Sequence, residues 1–269
     1  MNIIQRNFFR LLRCGAFQTT ETLEPMSTHK WDKLYQLAIA YQVYPYAYTG
    51  LKACKNQFFL MLTDAQWQQW EQPTDTDEES DDNELVRPDK LTNPLLNRQL
   101  QNILDDEQSD LNTRRLLVQI ISIARHILNE GLPLKLLIEL GLMLREKSRQ
   151  ADYDMLGDWL RTLRFQQMAQ LEATLLVNLL GFELKDIPFA DSNIDNKTSI
   201  VAKELAEYTH IRQDFYFSQD PGRIFVHTSN GAALLSHIKR SARYMRFIPS
   251  EALTNFFASF AHSLTNIEE

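Results

Sequence analysis

Apolar residues recur along most of the chain at intervals of three and four, the spacing that lines one face of a helix. Ile4, Phe8, Leu11 and Leu12 mark a first helix, with Gly15 as its expected stop. In "THKWDKLYQLAIAYQVYPYAYTGL", Trp31, Leu34, Tyr35, Ala38 and Ile39 form the inward face of a second helix. Pro45 then permits a helix to restart, and Gly50 is expected to end it. "TDAQWQQW" fits a capping box, with the Thr63 oxygen turned to the first turn and Gln66 reaching back.

The pattern strengthens from Leu95 to Leu104 and from Leu111 to Asn129. Leu117, Ile120, Ile121, Ala124 and Leu128 make one face, and Leu116, Ile123 and Ile127 cover much of the other, which predicts a central helix. Gly131 closes it, Pro133 opens the next, and that pattern runs to Arg145. Met168, Leu171, Leu175, Leu176 and Leu179 define a helix stopping at Gly181, and helical spacing returns from Ser199. "DFYFSQDPGRIFVHTSNG" is the least helical stretch, its aromatic and β-branched residues suiting a short extended piece. Two last helices are expected at about 231–246 and 250–264, separated by Pro249, with Ser250 as an N-cap.

Only eight Gly and nine Pro punctuate 269 residues, too few for many tight β turns, so composition agrees with helices joined by short connections. Seven acids fall between Asp75 and Glu84 with nothing apolar to bury, so that run reads as a solvated linker. The expected architecture is all-α: a multi-helix bundle-like domain at 90–269, an acidic linker at 73–89 and a small N-terminal helical unit at 1–72.

A net charge of −7 argues against a surface built for nucleic acid. Arg6, Arg10 and Arg13 interrupt the apolar start, leaving no uninterrupted hydrophobic region of the kind a signal peptide has, and an amphipathic helix is expected there instead. Arg125, His126, Glu130, Lys135 and Glu139 break up 116–144, so no run reaches the roughly 20 residues of a membrane span. Two cysteines, Cys14 and Cys54, suit a reducing compartment, and cytoplasm is the expected location.

The most catalytic-looking feature is Asp152 and Asp154 in "RQADYDMLGDWLRTL". An Asp-x-Asp pair holds magnesium when both side chains leave the same side of a strand. Here Tyr153, Leu156, Leu160 and Leu163 keep helical spacing, with Trp159 alongside. On a helix, residues i and i+2 point about 200° apart. Asp152 therefore reads as the cap, and Asp154 as a first-turn acid favoured by the helix dipole.

His126 and Glu130, at i and i+4, offer two metal ligands, which fall short of a site; a capping or hydrogen-bonding role is the plainer reading. Neither a Gly-x-Ser-x-Gly motif nor a glycine-rich phosphate loop occurs. No cofactor and no metal are called for. In "SHIKRSARYMR", Lys239, Arg240, Arg243 and Arg246, with His237 nearby, place cations along one helix face. That face is a candidate for an anionic ligand or an acidic protein partner, unless it is merely a solvated surface near a helix end.

"FFRLLRCGAF", "WDKLYQLAIAYQVYPYAYTGL", "LTDAQWQQW" and the stretch from "HILNEGLPLKLLIELGLML" to "NLLGF" resemble a bacterial family of nucleotidyltransferase-like proteins that often accompany surface-polysaccharide genes. "IPF" at 187–189 and "RYMRFIPSEAL" at 243–253 are similar to that family's C-terminal end. The resemblance implies a mixed α/β catalytic core between the two regions, with a lysine-glycine turn and an Asp-x-Asp strand. The interval here runs from 71 to 125, the acidic linker and one or two helices, too short for such a core. Lys135 and Asp152/Asp154 come in the right order for the motif, but no glycine follows Lys135. No catalytic residue is carried over. Helical ribonucleases that partner small nucleotidyltransferases have Arg and His with four to six residues between them; "RIFVH" has only three between.

The expectation is a non-catalytic helical binding or accessory protein derived from a nucleotidyltransferase-like ancestor. The alternative is a nucleotidyltransferase-type enzyme with a degenerate magnesium and nucleotide site, Asp152 and Asp154 holding the metal and Lys135 or the basic helix holding phosphates.

Overall fold

A computed structural model describes residues 1–57, 60–72, 86–147, 151–191, 195–207 and 243–265, which include eleven α-helices and no strand. The fold is all-α and bundle-like. The chain divides into two compact units: Met1–Asp82 with Leu134–Leu142 and Leu176–Phe182, and Asn83–Pro133 with Met143–Leu175 and Glu183–Glu269. No helix among the described residues is long and apolar enough to cross a membrane.

The first unit is built on α1 (Ile3–Phe17), α2 (Thr28–Ala40), α3 (Tyr44–Ala53) and α4 (Asp64–Glu71). Phe8, Phe9, Leu11, Leu12, Trp31, Leu34, Ala38 and Leu51 are buried, as the helical spacing requires. Thr63 and Gln66 form the expected capping box at α4, and Asn2 with Gln5 forms a second at α1. The arginines that interrupt the first apolar run pair with the segment that follows: Arg6 and Arg10 with Glu24, and Arg13 with Glu21. The hydrogen bond from Arg6 is the largest cause holding the Glu24 carboxyl down at about 2. Buried Asn7 fastens the same segment, donating to Glu24 O at 2.8 Å and accepting from Glu24 N at 2.9 Å. Cys14 and Cys54 are buried free thiols with sulfurs 3.8 Å apart, and burial pushes the Cys54 thiol up to about 12.

Two expected helix ends are corrected here. Helix α1 continues through Gly15 to Phe17, where Gln18 takes the left-handed cap at φ 56°, and α3 continues through Gly50 to Ala53. Both glycines serve the crossing of α1 and α3 instead. A Cβ on Gly15 would lie 1.8 Å from Tyr46 O, and one on Gly50 would lie 2.0 Å from Leu11 O. Gly131 (φ 121°) and Gly181 (φ 72°) do follow helix ends, in the left-handed region that only glycine adopts without strain.

The second unit holds α5 (Pro94–Leu104), α6 (Leu111–Asn129), α8 (Tyr153–Thr162), α10 (Asn196–Glu207), a 3-10 turn at Leu184–Asp186 and α11 (Pro249–Thr265). Helices α7 (Leu134–Lys147) and α9 (Gln166–Leu180) each give residues to both units. Helix α6 is buried on both faces, Leu116, Ile123 and Ile127 as fully as Leu117, Ile120 and Ile121. Helix α11 starts at Pro249, so Ser250 lies inside its first turn and is not the N-cap. Proline suits that start because its fixed φ is helical and its missing N–H would have no partner there. The acidic run from Asp75 to Glu84 and the stretch 214–231, with most of the helix expected at 231–246, lie outside the described residues.

Candidate functional site

Among the described residues, a cluster of buried polar side chains lies in the second unit. Arg125 falls in the middle of α6 among isoleucines and leucines, where burial pulls its guanidinium pKa down and the charge of Glu251 opposes that. Glu251, in the first turn of α11, is fully buried. Its Oε1 accepts from Arg125 Nη1 at 2.7 Å, from Thr92 N at 2.7 Å and from Thr92 Oγ1 at 2.9 Å; its Oε2 accepts from Asn93 N at 3.0 Å. Asn93 in turn caps α5. One turn further on, Asn129 and Asn255 exchange amide hydrogen bonds at 2.9 and 3.3 Å. One carboxylate thus ties together the start of α5, the middle of α6 and the start of α11. It is enclosed, so its work is to fix three helices. Sequence reading missed it, although an arginine amid otherwise buried neighbours was the signal that an acid must meet it.

Asp152 and Asp154 stand at the start of α8. Asp152 is the N-cap, its carboxylate accepting from Met155 N at 2.9 Å, and Asp154 lies in the first turn. The Asp152 N–H donates to Thr113 Oγ1 at 2.8 Å, and that hydroxyl donates to Asp110, the cap of α6. The strand that a shared magnesium ion would need at 151–155 is a helix start. Asp152→Ala is expected to cost about 1 kcal/mol of stability and Asp152→Asn close to nothing, since asparagine caps as well. Urea unfolding midpoints of the two variants check this.

Of the basic face, Lys239 and Arg240 lie outside the described residues, as does His237. Arg246 pairs with Asp195 at 2.6 Å and sits 5.1 Å from the Phe247 ring centroid, while Arg243 lies 3.5 Å from Glu204. These two cations are thus matched by acids from α10 and the residue before it. His126 Nδ1 meets Ser122 O at 2.8 Å and Nε2 lies 3.8 Å from Glu130, which places the pair at the end of α6. Lys135 is in the first turn of α7.

Glu172 in α9 is fully buried with neither carboxylate oxygen hydrogen-bonded among the described residues, and burial raises its carboxyl well above the ordinary 4.5. Below that value folded and unfolded chains both hold the proton, and the fold keeps its full stability. As pH rises the unfolded chain releases the proton and the folded chain does not, so stability falls until the raised folded value is passed. Glu172→Gln removes this loss. Its stability relative to the parent chain is expected to grow as pH rises above about 5, measured by urea unfolding at each pH.

Comparison with protein-family models, curated proteins and solved structures gave no match to this chain.

Proposed function

We propose that this chain is a non-catalytic helical binding or accessory protein of the cytoplasm, derived from a nucleotidyltransferase-like ancestor whose catalytic core has been lost. The observation that supports this reading is the start of α8, where Asp152 of the Asp-x-Asp pair caps the helix and Asp154 lies in its first turn. On such a backbone the two carboxylates diverge, and a shared divalent ion would require α8 to unwind. The short interval between the two regions of family resemblance agrees with that loss. Two free thiols, Cys14 and Cys54, with sulfurs 3.8 Å apart, suit a reducing compartment.

Isothermal calorimetry with nucleoside triphosphates, with and without magnesium, tests the reading on the parent chain and on Asp152→Ala/Asp154→Ala. No heat is expected from either protein. Magnesium-dependent binding that disappears in the double substitution would overturn the reading in favour of a nucleotidyltransferase-type enzyme.

A further inference from the structure

A cleft of about 470 Å³ opens on the second unit. Leu111, Arg114, Arg115 and Val118 of α6 fall at i, i+3, i+4 and i+7 and so share one helix face; Gln119 of the same helix, Leu104 of α5 and Met143 of α7 complete the walls. The volume lies within the range of roughly 300 to 1,000 Å³ usual for small-ligand sites. The apolar side chains give it a greasy interior, and Leu111 is 53% exposed although its neighbour turn is packed.

The two guanidinium groups differ. Arg114 is largely occupied: its Nη1 donates to Leu104 O at 2.9 Å, at the carbonyl end of α5, where a cation is favoured, and only its buried Nε makes no hydrogen bond among the described residues. Asp110 balances it. That carboxyl is held below the usual range, mainly by hydrogen bonds from Thr113 and to a smaller extent by the charge of Arg114. Arg115 is exposed and makes no ion pair or hydrogen bond among the described residues. One uncommitted positive charge therefore stands beside an apolar cleft, on a chain whose net charge is −7.

We infer that this cleft binds a monoanionic amphiphile, an aliphatic body of medium length bearing one carboxylate. The body lies against Leu104, Leu111, Val118 and Met143, and the carboxylate takes the fork of Arg115. A planar guanidinium matches a carboxylate with two parallel hydrogen bonds, and a single free guanidinium matches a single negative charge better than a dianion. This inference goes beyond the proposed ancestry and rests on the cleft alone, so the nucleotide titration and the one below fail independently.

The test is calorimetric titration of the full chain with decanoate below its micelle concentration, with decanol and acetate as the body and the head alone. Saturable binding of decanoate is expected, with decanol at least about tenfold weaker and acetate silent. Arg115→Ala should weaken decanoate by about tenfold, and Arg115→Lys by less. Leu111→Ser, also at an exposed position, should weaken decanoate and decanol alike. The Met143 methyl resonance should shift on titration while those of Met1 and Met61 stay in place. Absence of saturable heat, equal affinity for decanol, or unchanged affinity in Arg115→Ala would each overturn the inference.

Discussion

Gly15→Ala and Gly50→Ala are each expected to destabilise the first unit by about 3 kcal/mol or more, against the ordinary effect of replacing a helical glycine. Helix propensity alone favours alanine by about 1 kcal/mol. The crossing of α1 and α3 decides otherwise. The new methyl of Gly15→Ala would sit 1.8 Å from Tyr46 O and 2.7 Å from Gly50 N, and that of Gly50→Ala 2.0 Å from Leu11 O. An ordinary carbon–oxygen contact is about 3.3 Å or longer. The obstacles are backbone atoms, which no rotamer change can move, so the helices must separate and loosen the packing around Leu11, Leu12 and Leu51. The double substitution should cost less than the sum, because one separation accommodates both methyls. Gly157→Ala in α8 is the control: its Cβ meets nothing within 4 Å, and it should stabilise by up to about 1 kcal/mol. Thermal and urea unfolding of the four variants give the signs. A stabilised Gly50→Ala would show that α1 and α3 do not approach as closely as described.

Those glycines also mark how far the chain could be understood without its structure. Periodicity reveals which face of a helix is buried, because burial acts on every third or fourth residue, and so the helices at Leu95–Leu104 and Leu111–Asn129 and the cap at Asp152 were legible. Periodicity carries no information on how closely two helices approach. Gly15 and Gly50 therefore looked like stops, as Gly131 and Gly181 did, although only the latter pair has positive φ. The charges of Arg243 and Arg246 were visible too, but their partners Glu204 and Asp195 lie about forty to fifty residues away in sequence. The cleft at Arg115 was hidden for a similar reason: its walls come from three helices, and an exposed Arg in a first or second helical turn is unremarkable by itself.

Arg125 and Glu251 are separated by 126 residues and carry the second large expectation. Breaking a buried ion pair by truncating one partner costs about 3 to 5 kcal/mol, because the other charge stays buried without compensation. The two halves are not equivalent here. Arg125→Met leaves Glu251 with three donors, the Thr92 N–H and hydroxyl and the Asn93 N–H, so its cost should fall near the lower end. Glu251→Leu strands the guanidinium and also deprives the start of α5 of its acceptor, so it should fall at the upper end or beyond. Arg125→Met/Glu251→Gln removes both charges while keeping a carbonyl oxygen for Thr92 and Asn93. It should recover to within about 2 kcal/mol of the parent chain, a smaller loss than Arg125→Met alone, because no charge is left buried without its partner. Arg125→Met/Glu251→Leu should remain less stable than the glutamine version, since the α5 N–H groups still lack their acceptor. Urea unfolding of the five chains separates these cases. Equal stability of the leucine and glutamine double variants would mean that Glu251 serves only Arg125, and that the start of α5 is held by other contacts.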